Sequence, residues 1–250
     1  MRLLGFLGLL VILVIIVLVV GMGGKAASQP RAQVEQDMKM RFHMRANFGV
    51  LRTMERLLVH GKIDEARDLA DAIAKAPDEL GTSPFARQTT RVRERAAALA
   101  STTSVNEALR EAARLAAACG SCHVDTGARP AFDTPPSVPA DEATITARMA
   151  RHVWASDRLW EGMLGNSDTA WRAGLDVLAA TPLPASELGS ERTALAKRLQ
   201  RLATEARAHK GTLDLGARAV VYGDLLVTCA ACHAKKPSDE AAREPVGPRR

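Results

Sequence analysis

Apolar residues follow two regimes along this chain. From residue 3 to residue 22 the run LLGFLGLLVILVIIVLVVGM is apolar without interruption. A helix needs about 20 such residues to span a bilayer core. Beyond residue 33 the apolar positions recur at helical spacing. Met44, Phe48, Leu51 and Leu58 share one face of a stretch from Val34 to His60. Gly61 interrupts it, and Asp64 to Lys75 reads as a shorter helix with Ala66, Leu69, Ala70 and Ile73 on its apolar side. Pro77, Gly81 and Pro84 mark a loop. A third helix is expected from Phe85 to Ala100. A fourth opens at Ser104, which with Glu107 makes a capping box, and carries Leu109, Ala112, Leu115, Ala116 and Cys119 on one side.

Residues 126–141, with Gly127, Pro130, Pro135, Pro136 and Pro139, read as a linker, and the programme then restarts. A helix is expected over 142–164, and Asn166-Ser167-Asp168 caps a shorter one ending near Ala180. Pro182 and Pro184 form a loop, a third helix covers 185–209, and a fourth follows Gly211 from Leu213. Residues 236–250 are polar and read as a disordered tail. The two halves keep step. Met44-Arg45-Ala46-Asn47-Phe48 matches Met149-Ala150-Arg151-His152-Val153 at an offset of 105, and Leu58 and Val59 meet Met163 and Leu164. One helical module has been duplicated, over residues 34–125 and 142–235. Residues 1–23 precede it as a transmembrane anchor or signal.

Composition adds little. Aromatic residues make up 4% of the chain, and alanine, leucine and arginine dominate, which favours helix over sheet. The formal charge of +6 comes without a basic run of five, so nucleic acid is not an expected partner. Acidic redox proteins or anionic lipid are the simpler implication.

The chemistry lies in the cysteines. The chain has four, all within Cys119-Gly120-Ser121-Cys122-His123 and Cys229-Ala230-Ala231-Cys232-His233. Each stretch reads C-x-x-C-H, the attachment signal for a c-type haem. Two thiols three positions apart add to the two vinyl groups of one haem, and the next residue offers an imidazole to the iron. A four-cysteine zinc site and a pair of redox dithiols compete with this reading. Zinc pairs favour glycine-rich turns, whereas both motifs here end helical stretches. A dithiol needs no histidine after it. Two covalent haems c are therefore expected, and no thiol is left for a disulfide.

Four helices with C-x-x-C-H near the end of the last resemble the class II cytochromes c, the group of cytochrome c-prime. The resemblance covers residues 34–125 and 142–235 and implies an all-α fold of two tandem antiparallel four-helix bundles, each with a covalent haem, after the N-terminal transmembrane helix. It implies that Cys119 and Cys122 hold one haem with His123 as proximal ligand, and Cys229 and Cys232 the other with His233. In that family the first helix supplies the distal residue. Met44 and Met149 stand at equivalent places there, as iron ligands or as ordinary packing. His43 and His152 are alternative ligands that do not align with each other. The family's last helix often continues into a basic residue. Lys235 and Lys236 provide it in the second half, and only Arg129 in the first.

The implied function is a membrane-tethered diheme cytochrome carrying single electrons between redox partners, and not an enzyme. Its place is the inner membrane, facing the periplasm, or the periplasm itself if the first segment is cleaved. A gas-binding protein with five-coordinate iron is the alternative, and a diheme peroxidase finds no distal acid–base group to support it. His60 and His209 receive no role. Trp154, Trp160 and Trp171 are read as packing.

Overall fold

The computed structural model describes residues 31–76, 86–130, 132 and 135–234. The described chain is all-α. Among the described residues are eight α-helices: α1 (Arg31–Val59), α2 (Ile63–Lys75), α3 (Ala86–Ala100), α4 (Val105–Thr126), α5 (Ile145–Leu164), α6 (Asp168–Ala180), α7 (Gly189–Ala208) and α8 (Leu215–Ala234). A 3-10 turn, Ala185–Glu187, precedes α7.

Local chemistry sets the helix ends. The Ser104 hydroxyl accepts from the Glu107 amide at 3.3 Å and starts α4. Glu107 reaches back to the Thr103 amide at 3.4 Å rather than to Ser104, so the capping box closes one residue early. Thr144 and Ser167 cap α5 and α6 in the same way, accepting from Ala147 and Ala170. The fourth helix runs past its haem motif to Thr126, where Gly127 in the left-handed region ends it.

The chain divides by compactness at Ala46, not in the linker: Met1–Ala46 is one unit and Asn47–Arg250 the other. The first unit's described part is the opening half of α1, on which Met38 and Phe42 are exposed. In the second unit a single apolar cluster takes Leu51, Met54 and Leu58 from α1, Leu109 and Leu115 from α4, Leu159 and Met163 from α5, and Tyr222 and Leu225 from α8. The two expected bundles share this one apolar cluster rather than holding separate cores. Helices α4 and α8, the last of each half, pack along one another. Helix α3 packs on α4 and carries α2 on its other side, while α6 packs on α5 and α7, and α7 on α8.

The 126–141 segment is strapped down. Trp154 donates to the Pro136 carbonyl at 2.8 Å, Arg151 to the Pro139 carbonyl at 2.6 Å, and Phe132 packs on Phe48 with centroids 5.9 Å apart.

The N-terminal run 3–22, the loop at Pro77, Gly81 and Pro84, and the tail with Lys235 and Lys236 lie outside the described residues. Among the described residues the one helix long and apolar enough to cross a bilayer is α8, at the other end of the chain, and half of that stretch is buried in the protein. Its apolarity is that of a core helix, since Ala219, Tyr222, Leu225 and Leu226 all sit in the cluster. So far as the described residues go, this corrects the expected N-terminal anchor. With it go the membrane partner and the inner-membrane, periplasm-facing placement that rested on that anchor.

Candidate functional site

Each motif lies on a continuous helix, and that places its chemistry on one face. Cys119, Cys122 and His123 stand at i, i+3 and i+4 on α4, and Cys229, Cys232 and His233 repeat the spacing on α8. All four sulfurs are unpaired and their residues half-buried. The thiols and the imidazole of each triplet therefore point the same way, as a porphyrin held by both thiols and the histidine requires. The donor set fits the group.

The surroundings of the two triplets differ. The end of α5 crowds the first. Gly120 is buried, and a Cβ there would overlap the carbonyl oxygen of Met163 and press on the Leu215 side chain. His123 Nδ1 lies 2.7 Å from the Leu164 carbonyl oxygen. Because that oxygen can only accept, Nδ1 carries the proton and Nε2 keeps its lone pair for a metal. The second triplet faces the end of α1. The His233 ring sits edge-to-face against His60, centroids 5.1 Å apart and planes at 88°. Both of these histidines are exposed.

Helix register fixes how far apart the triplets are. Arg110 pairs with Asp224 at 3.3 Å, and Gly120 lies against Leu215, so α4 and α8 run antiparallel. The first motif is level with Leu215, and Cys229 comes fourteen residues later (215 to 229). At 1.5 Å rise per residue the two motifs stand about 21 Å apart along the pair. A single zinc ion with Zn–S bonds of about 2.3 Å cannot bridge that gap.

Burial also acts on the thiols. It pushes Cys119 and Cys229 up to about 12, with smaller contributions from the partner cysteine and, at Cys229, from Glu55. Cys122 and Cys232 are raised as well, again chiefly by burial. Redox dithiols need the opposite, a thiolate stabilised near neutral pH. The separation of the motifs is thus too great for one shared zinc ion, and burial of the thiols runs against a redox dithiol.

Between the motifs lies a buried polar cluster. Glu55, 4% exposed, accepts from the Tyr222 hydroxyl at 2.8 Å, from Ser156 at 3.1 Å and from Arg52 at 2.6 Å. Arg52 also pairs with Asp157 and lies over the Trp160 ring at 5.8 Å. Burial, then the Glu55 charge, raises the Tyr222 hydroxyl well above its ordinary range, so it stays a donor. Tyr222 is seven residues from the level of each motif (215 to 222, 222 to 229), hence midway.

The remaining candidates fall as follows. Ser156 contacts Tyr222 at 3.0 Å and Arg218 donates to the Gly162 carbonyl at 2.8 Å, so α5 and α8 are antiparallel. Seven residues back along α5 (156 to 149) and seven forward along α8 (222 to 229), Met149 comes level with Cys229. Met149 is half-buried and outside the apolar cluster. Met44 is half-buried on α1 within the first unit. The His43 side chain lies outside the described residues. His152 is a core histidine bonded through Nε2 to the Thr181 carbonyl at 2.8 Å, and burial lowers its pKa. His209 ends α7 at the surface. Trp160 and Trp171 are buried and Trp154 holds the 126–141 segment, as packing residues do.

Sequence reading missed Glu55, Tyr222 and His60. Glu55 looks like half of a surface Arg52–Glu55 pair, and only the long-range fold buries it. His60 carried one signal, its place at the turn that ends the first helix of a repeated C-x-x-C-H module.

No protein-family model, curated protein or solved structure matches the chain.

Proposed function

We propose that this protein is a diheme c-type cytochrome of class II-like kind that carries single electrons. The observation behind this reading is the pair of thiol–thiol–imidazole faces, one at each end of an antiparallel core helix pair, with the His123 ring held so that Nε2 is free. Cys119 and Cys122 hold one haem and His123 binds its iron. Cys229, Cys232 and His233 do the same for the other. Bound haem supplies reversible one-electron chemistry. The protein's part is attachment, ligand orientation and burial. The Leu164 carbonyl fixes the His123 tautomer and adds to its basicity, which favours ferric iron at that end. The core of α4 and α8 holds the two attachment motifs about 21 Å apart along the helix pair.

Mass spectrometry of the denatured full chain, expressed with haem-maturation machinery, tests this reading. Two covalent haems per chain are expected. One or none would overturn it.

A further inference from the structure

The proximal histidine of the second motif has a companion that the first lacks among the described residues. His60 follows α1 in a two-residue turn, its amide bonded to the Arg56 and Leu57 carbonyls, and Gly61 at φ 77° turns the chain away. That backbone aims the His60 ring at His233, where the two rings stand perpendicular with centroids 5.1 Å apart. The duplicated position in the other half is Gly165, since Val59 matches Leu164. It has no side chain, and Phe132 occupies the space beside it. The first motif therefore meets a backbone carbonyl where the second meets an imidazole.

We infer that His60 is the second axial ligand of the haem held by Cys229 and Cys232, making that centre bis-histidine. The inference rests on the diheme reading. Two imidazoles on opposite sides of one metal, with metal–nitrogen bonds of about 2.0 Å, place their centroids roughly 6 Å apart. The observed pair is within about 1 Å of that spacing, and the ring that presents its face has to turn its nitrogen toward the other, movements that an exposed side chain in a turn makes freely. The described residues offer no group of three or more His, Cys, Asp or Glu able to hold a bare metal ion. A histidine pair leaves four coordination positions to fill, and a porphyrin fills four. Met149 competes only by being level with Cys229 along α5 and α8, whereas the His60 ring touches the His233 ring.

The test uses the full-length holoprotein. Haem content by mass comes first, because fewer than two haems is a failure of the diheme reading and not of this one. With two haems present, electron paramagnetic resonance and near-infrared magnetic circular dichroism are compared for wild type, His60→Ala and His60→Gln. The wild type is expected to show one bis-histidine low-spin centre. Either variant should turn that centre high-spin and let the reduced protein take up one additional carbon monoxide per chain, and free imidazole should restore the low-spin signal. Spectra unchanged in both variants would overturn the assignment. So would a methionine-to-iron charge-transfer band at this centre that disappears in Met149→Ala.

Discussion

The two motif-bearing ends of the molecule carry the same thiol–thiol–imidazole spacing and opposite surroundings. The first is closed in by protein. The end of α5 presses on Gly120, and a backbone carbonyl orients His123. The second is open, with His233 exposed and another imidazole as its neighbour. This contrast explains why the second position of the motif is smaller in the first than in the second. Position two is glycine in Cys-Gly-Ser-Cys-His because the Met163 carbonyl occupies the space a methyl would need. It is Ala230 in Cys-Ala-Ala-Cys-His, where the methyl is buried without such an obstacle. Duplicated modules that pack against each other do not stay equivalent, because each meets a different part of its copy.

On the diheme reading, the comparison can be broken most forcefully by removing one haem. Cys229→Ser with Cys232→Ser should leave a chain carrying a single haem, read directly by mass. Because both motifs sit on helices of one apolar cluster, the loss should also lower the melting temperature of the whole unit in one transition. Each kcal/mol lost corresponds to about 2–4 °C for a domain of this size. Two separate transitions, one at the wild-type temperature, would show that the halves fold independently.

A sharper and smaller effect separates the two motifs. Gly120→Ala forces a methyl against backbone that cannot move without shifting α5, and should cost about 1–3 kcal/mol. The reciprocal change, Ala230→Gly, adds backbone freedom within a helix and removes one buried methyl, for a cost of about 1–2 kcal/mol without any steric clash. Denaturant unfolding of the two holoproteins measures both. Equal costs would mean that the first motif is no more tightly confined than the second.

Much of this architecture was legible in the sequence, and the illegible part has a common cause. Ser104, Ser167 and the breaks at Gly61 and Gly211 set helix ends through contacts within four residues, so pattern alone finds them. The cysteines and histidines of the motifs are equally local. The pairing of α4 with α8 is not: Ala108, Leu109, Ala112 and Leu115 look the same whether they face their own half or its copy. Burial of Glu55 follows from that pairing, as does the meeting of His60 with His233.

The buried cluster midway between the motifs gives a third, weaker effect. Tyr222→Phe removes one of the donors to Glu55 and keeps the ring against Trp160, whose centroid is 6.1 Å away. Ser156 and Arg52 still satisfy the carboxylate, so the cost should be about 1 kcal/mol. Combined with Ser156→Ala, the two losses should exceed their sum by ~0.5 kcal/mol or more, because Glu55 is then left with Arg52 alone. Simple additivity would show that the three groups do not act as one network.

The smallest effect belongs to His152, which only the second half possesses, Asn47 being its counterpart. Burial lowers its pKa below the ordinary 6.5, and the bond to the Thr181 carbonyl, which acts the other way, does not restore it. The unfolded chain therefore binds a proton at this histidine at a pH where the folded chain does not. The neutral-ring contribution is fully present above about pH 6.5 and is lost as pH falls through the window between the two values. One proton of difference bounds the slope at about 1.4 kcal/mol per pH unit. In His152→Gln the amide can still donate to Thr181 but cannot titrate. Stability measured from pH 7 to 5 should thus fall less steeply in this variant than in wild type, with the two curves converging at high pH up to a constant offset. Parallel curves throughout would show that His152 titrates alike in folded and unfolded chains, and that burial at this position carries no proton linkage.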